Sequence, residues 1–578
     1  MSERFDERDS SWPLRPWIMA VILGLAGLAF DLIVRTEAPG HRPPGSQAAG
    51  TFIAVAAVSF VLTVEQRRWI WALGFALSWG CVVALVGWFT ASYNQAPTIF
   101  EWPFLSGLFA VLLAGPLFQT VRDEGAWRFP YSRLHHHAWT DAVIGAASLG
   151  FVGITFLLSW LIAGLFDLIG IDLVKDALQE SWFAWMLAGF AFGGAIGLLR
   201  ERDALVGTLQ RLAMVVLSVL APVLAGALTL FLASLPFTGL ESLWDSALPA
   251  TALMLLAGAG AVLLANAVIG NGESERTPTR LLKAAALILV LTVLPLAIIA
   301  AISMGTRIAQ HGWTPERIWG TIAVGVALVY GVAGWWAVAK DRERFDDRLR
   351  PLQTRLAIAL CGLALLLALP IVDFGAISTR SQVARLASAK LPADEFDWRA
   401  MAFDFGPSGR AALSRIARTG AADQRKLASA ALSTKNRYEV ELEVARAASV
   451  ADLDRFLRVI PEGSSLSEGL RQAVASTRFC RETACVLIMV DPGRAIVAGH
   501  WRGEEAVQSQ MLARDPSGGW NPNFDTTAVA APAPTAETDT AGKSAAAKTD
   551  LRRATVELRA VERRQLFIDG KPLGAAFE

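Results

Sequence analysis

Few residues in this chain have types and spacings suited to chemistry, and Cys480 and Cys485 are the first of them. They enclose RETA, and in an oxidising compartment they would close a short disulfide loop. Two free buried thiols, or a metal or redox role, stay open as alternatives, but the spacing is not CxxC and gives a thioredoxin-like reading no footing. His135, His136 and His137 stand together in RLHHHAWTD and make up half of the six histidines, so other bases or nitrogen ligands are scarce. Consecutive side chains on a helix diverge, and no Cys or Glu completes a recognised metal spacing. Residues 133–141 are therefore read as a polar connection rather than a metal site. AGKS at 541–544 resembles part of a phosphate loop, yet Glu537 stands where that motif needs Gly and no strand precedes it. No Ser/His/Asp constellation, paired-carboxylate motif or HExxH helix is identifiable. The residues thus assign no catalytic group, no metal ligand and no cofactor.

The elements that position these residues are mostly apolar runs. The chain has 578 residues, of which 53% are hydrophobic and only 18% charged, below the roughly 25% charged content of soluble domains. Crossing a hydrocarbon core of about 30 Å takes about 20 helical residues. Runs of about this length are predicted at 17–34, 48–64, 69–89, 102–121, 141–166, 182–199, 212–235, 247–269, 281–303, 318–339 and 356–372. Trp17, Trp69, Trp102 and Trp182 open four of them, where an amphipathic ring suits headgroup depth. The expected fold class is mainly α: a polytopic bundle of about eleven spans with a C-terminal α/β extramembrane domain. Residues 1–16 are expected to be a short tail and 17–372 the transmembrane domain. The acidic residues near the start and the lack of a small-x-small pattern after Val34 favour an uncleaved first span. Cys81 and Cys361, inside apolar runs, are expected to be small buried residues.

Basic residues set the expected orientation. With the N-terminus inside, alternate connections collect twenty Lys and Arg on one side, six of them in KDRERFDDRLRPLQTR at 340–355, and five on the other. This asymmetry predicts a cytoplasmic N-terminus and, with an odd span count, a C-terminal domain outside. No continuous basic stripe supports a nucleic-acid partner. Within the spans, Gly189, Gly193 and Gly197 recur every four residues and predict a helix face for close packing. Pro116, Pro222, Pro295 and Pro370 could kink spans or break them at a transport site. Asp31, close to the end of the first span, is a candidate functional polar residue; the plainer reading places it at the interface. Residues 167–181 alternate apolar and charged side chains, which predicts a short surface helix. Thr314, Pro315 and Glu316 form a helix start.

Beyond Asp373 the pattern changes. Residues 396–405 show partial period-two alternation, followed by helical stretches at 410–418, 421–432, 438–459 and 466–476. Short strands at 486–490 and 495–497 flank the turn-former Asp491-Pro492-Gly493. The α/β domain is placed at 373–517 and an Ala/Pro/Thr-rich linker at 518–550. A C-terminal hairpin around Asp569-Gly570, within 551–578, is expected to return to that domain.

Three segments resemble one family. YSRLHHHAWTDAVIG (131–145) followed by FLLSWLIAGLFDLIGI (156–171), RIAQHGWTPERIWGTIAVGVALVY (307–330) and FDWRAMAFDFGPSGRAAL (396–413) are similar, in this order, to segments of bacterial inner-membrane proteins carrying the domain of unknown function DUF4153. The resemblance implies an inner-membrane location and this domain order; it carries no activity and no catalytic residues.

Three functions are consistent with these features. The first is a non-enzymatic envelope platform that displays a periplasmic α/β domain for signalling or assembly, with the lipid bilayer and other envelope proteins as partners. The second is a transporter or flippase for a small or amphiphilic substrate, and the third a membrane enzyme acting on lipid or glycan. The third lacks identifiable catalytic groups.

Overall fold

The long apolar runs fold as helices because a backbone in hydrocarbon must satisfy its N–H and C=O groups internally. In the computed structural model eleven helices are long and apolar enough to cross a membrane. The structure describes residues 12–35, 43–91, 97–239, 249–272, 279–388, 391–393, 395–434, 437, 439–440, 453, 456–477, 479–480, 484–500, 507–515, 519–522, 564–568 and 571–577. The spanning helices are α1 (Arg15–Val34), α2 (Pro44–Thr63), α3 (Trp69–Ala91), α4 (Pro97–Glu124), α5 (Tyr131–Asp167), α7 (Ser181–Glu201), α8 (Asp203–Thr238), α9 (Ala250–Ile269), α10 (Arg280–His311), α11 (Pro315–Lys340) and α12 (Phe345–Ala368). The short α6 (Leu173–Gln179) lies between α5 and α7. Large apolar side chains such as Leu157, Val223 and Leu256 are exposed on the bundle surface. That is the inverse of a water-soluble protein and is the surface that lipid covers.

Hydrogen bonds sort the helix ends into two sets. At one end Trp12 N donates to Glu201 Oε1 (3.0 Å) and the Arg15 guanidinium to the Val64 carbonyl (3.1 Å), joining the start of α1 to the ends of α7 and α2. Arg350 donates to the Ile269 carbonyl (3.0 Å) and Gln353 to Asn266 Oδ1 (2.6 Å), joining the start of α12 to the end of α9. At the other end Arg35 pairs with Glu180 (2.8 Å), and Thr251 donates to Ser303 (3.0 Å). Ser106 Oγ donates to the Ala364 carbonyl (2.9 Å), setting the start of α4 beside the end of α12. Most basic flanks of the helices therefore gather at the first of these ends, with Arg35 at the other.

Several local expectations are corrected. The triple-histidine segment is not a connection but the first turns of α5, where Tyr131 and His135, four residues apart on one face, bond side chain to side chain (2.9 Å). The basic stretch 340–355 is helical from Phe345 onward, because Asp346 and Asp347 in the first turn suit the helix N-terminus and pair with Arg350. The last span ends at Ala368, before Pro370, rather than at 372. The surface helix expected over 167–181 contracts to α6, since Gly170, with φ of 76°, turns the backbone there. Pro222 and Pro295 lie inside α8 and α10 without breaking either helix. Thr314 does cap α11, accepting from Arg317 N (3.4 Å). Cys81, expected to be buried, is exposed on α3, a placement that an apolar solvent permits.

The chain divides into two units, Met1–Ala384 with Asp404–Ser408, and Arg385–Phe403 with Gly409–Glu578. Helix α13 (Phe374–Ala387) follows the spans. The second unit includes α14 (Trp398–Phe403), most of α15 (Gly406–Thr419), α16 (Ala422–Ser433) and α17 (Glu468–Ser476). Residues 396–405, patterned like a strand, contain α14; Trp398, Met401 and Phe403 are buried there, and Trp398 Nε1 donates to the Ala393 carbonyl (2.7 Å). A five-stranded sheet has the order β1 (Leu457–Ile460), β2 (Cys485–Asp491), β3 (Arg494–His500), β4 (Val507–Arg514) and β5 (Trp520–Pro522). β1 and β2 are parallel, with α17 in their connection, and the other pairs are antiparallel. Ser467 caps α17 by accepting from Leu470 N (3.3 Å). In the β2–β3 turn the Gly493 N–H and the Arg494 guanidinium hold the Asp491 carboxyl below the usual carboxylate range. Their support is therefore present at neutral pH and is lost as pH falls through that depressed value.

β1 occupies the end of a stretch expected to be helical, and β5 lies within the expected linker. β6 (Arg564–Ile568) and β7 (Lys571–Phe577) form a separate antiparallel pair. AGKS and most of the linker lie outside the described residues.

Candidate functional site

At the basic end of the helical unit, charged residues from four flanks form one lattice. The α2–α3 turn supplies Glu65 and Arg68, the last turn of α4 supplies Arg122 and Asp123, the first turns of α5 supply His137 and Asp141, and the last turn of α7 supplies Arg200. Arg122 is the centre: its buried guanidinium pairs with Glu65, with Asp123 (3.0 Å) and with the Thr63 carbonyl, one of the unsatisfied acceptors at the end of α2 (2.6 Å). Arg68 bridges Glu65 (2.9 Å) and Asp123 (3.4 Å) from the water side. His137 Nε2 lies 3.0 Å from Asp123 Oδ2, a bond that needs the proton on Nε2 when Asp123 is ionised. Asp141 accepts from Gln119 Nε2 (2.8 Å) and from Arg200 (3.2 Å). The cations and carboxylates are therefore matched to one another across four helices, an arrangement that fixes helix ends.

Beside the lattice a cavity of about 600 Å³ opens between α3, α4 and α12. Trp71, Phe75, Trp79, Phe118 and Ile358 wall it, and Arg68 and Arg122 form its polar margin. Phe75 and Phe118 stack at 4.5 Å between ring centroids. From Trp71 to Trp79 the α3 wall extends about 12 Å along the helix axis, so the cavity has the shape of a short hydrocarbon slot with a charged mouth. Cys361 also lines it, as a half-buried thiol.

The residues singled out from sequence lie elsewhere and are not brought together. Asp31 is buried near the opposite end of α1; its Oδ2 has no hydrogen-bond partner among the described residues, and it lines none of the three cavities described. Gly189, Gly193 and Gly197 face α1 so closely that a Cβ would meet the Leu23 carbonyl, the Met19 carbonyl and Pro16 respectively. Gly27 on α1 returns the contact against the Trp185 carbonyl, a partner that the LGLAGLAF pattern offers on inspection. Cys480 and Cys485 are joined by a disulfide with Cα atoms 5.2 Å apart, and both are buried members of a core that also contains Leu470, Leu487 and Val497. The lattice itself was missed because its members sit in separate flanks, where each reads only as a topology signal. Among the described residues no group of three or more His, Cys, Asp or Glu is placed to hold a metal ion.

Comparison with known proteins gives one match. The model of a domain of unknown function, DUF4153, covers residues 50–416, well over half of the chain. No curated protein and no solved structure matches. The match spans α3 to α14 and the whole lattice, and together with the eleven apolar helices it makes this a multi-pass membrane protein in contact with lipid. The chain belongs to the DUF4153 family.

Proposed function

We propose that this chain is a non-enzymatic envelope platform of the bacterial inner membrane, with its N-terminus in the cytoplasm and its disulfide-bearing α/β domain displayed in the periplasm for signalling or assembly. The observation that carries the reading is the state of the charged groups: the lattice spends its cations and carboxylates on one another at one end of the bundle, where they rigidify rather than react. Sidedness follows from the twenty-to-five asymmetry of basic residues between alternate connections. A disulfide in the second unit agrees with an oxidising compartment.

The aromatic slot favours a second reading, a transporter or flippase for an amphiphile, because one hydrocarbon chain would fit with its polar head at Arg68 and Arg122. Reconstitution separates the two. As a platform, the purified protein in proteoliposomes is expected to produce no saturable flux of ions or labelled amphiphiles. Saturable flux that Phe75→Ala weakens would instead establish transport.

A further inference from the structure

A second cavity at the basic end, of about 410 Å³, lies where α9 ends, α10 begins and the α11–α12 connection crosses. Its two sides differ in chemistry. Val268, Ile269 and Leu287 form an apolar side, and Lys283, Arg342 and Arg344 bring three cations to the same space. Among the described residues none of these three cations makes an ion pair or a side-chain hydrogen bond, in contrast to Arg68, Arg122 and Arg200 at the same end of the bundle. The carboxylate that could neutralise them from α12, Asp346, is already held by Arg350 (3.0 Å) and buried, which leaves Glu343 as the other acid lining the cavity. Lys283 also lies in the first turn of α10, where no acidic residue offsets the positive end of the helix. All three are exposed, so an anion that enters the cavity meets them without first breaking an ion pair.

From this arrangement we infer that the cavity is a binding site for the phosphate headgroup of an anionic phospholipid, with its acyl chain along the apolar side. A free anion would use the cations alone and make nothing of the apolar side that Val268, Ile269 and Leu287 contribute to the cavity. A lipid phosphate uses both, and basic pockets between spanning helices are suited to such headgroups.

The test uses the full-length protein purified in neutral detergent and a short-chain phosphatidylglycerol as the probe, with binding read as a rise in Tm. Phosphatidylglycerol is expected to raise Tm saturably, and phosphatidylcholine of the same chain length is not. The triple variant Lys283→Gln/Arg342→Gln/Arg344→Gln should bind roughly a hundredfold more weakly, because each cation strengthens the binding of an anionic headgroup about fivefold. A control of equal charge at the same end, Arg128→Gln/Arg202→Gln/Arg211→Gln, should keep the wild-type response. If the triple variant is unstable without lipid, the swap Lys283→Arg/Arg342→Lys/Arg344→Lys, which keeps all three charges, should retain it. Equal responses to the two lipids, equally weakened binding in the triple variant and the control, or a full response to inorganic phosphate alone would each overturn the proposal.

Discussion

Gly193→Leu is expected to abolish the folded protein, because the residue sits where α1 and α7 approach backbone to backbone. A Cβ at position 193 would meet the Met19 carbonyl and the Ala20 Cα, and neither can rotate away as a side chain would. Even Gly193→Ala must push α1 outward, at a cost of about 1–3 kcal/mol for overpacking, and a leucine cannot be accommodated without parting the helices. Gly226→Ala in α8 has the opposite sign, since a Cβ there meets nothing within 4 Å. It should be neutral or gain up to about 1 kcal/mol from helix propensity. Thermal melting of the detergent-purified variants checks both: Gly193→Ala should lower Tm, Gly226→Ala should not, and Gly193→Leu should give no monodisperse protein. Equal melting of the two alanine variants would show that the close approach does not hold α1 to α7.

Arg122→Met is the second large effect. Removing one partner from a buried ion pair costs about 3–5 kcal/mol, because the abandoned charge cannot be rehydrated fully. Here the loss should fall near the lower end of that range, since Glu65 and Asp123 keep Arg68, and Asp123 keeps His137. The Thr63 carbonyl loses this donor. Adding Glu65→Gln should cost less in the Arg122→Met background than in the wild type, because the pair then no longer exists. Purely additive decreases in Tm would show that Arg122 and Glu65 do not act together.

What was legible in the sequence was whatever depends on one segment at a time. All eleven spans were visible because hydrocarbon demands uninterrupted apolar length, and the cap at Thr314 because its residues are adjacent. Errors appeared where helices continue beyond the hydrocarbon. The polar turns around His135 and the start of α12 near Phe345 carry no hydrophobic signal, yet they are helical because side chains on adjacent turns pair and the spans below nucleate them. The strands β1, β4 and β5 were missed for another reason: β1 and β5 are short, and the place of all three comes from pairing within the sheet, which no local pattern encodes. The charge lattice is the extreme case, since Glu65, Arg122, His137 and Arg200 meet only after four helices have packed.

The sidedness of the two units is read most directly by labelling single cysteines with a membrane-impermeant maleimide. Arg128→Cys marks the basic end and Glu462→Cys the second unit, each in a Cys81→Ser/Cys361→Ser background with Cys480 and Cys485 left in place. With intact spheroplasts and no reductant, Glu462→Cys should be labelled, and Arg128→Cys only after the membrane is permeabilised. The parent protein with neither added cysteine should take up no label until its disulfide is reduced. Labelling of both positions from the same side, or of Cys480 and Cys485 without reductant, would contradict eleven crossings that separate the basic end from an oxidised domain.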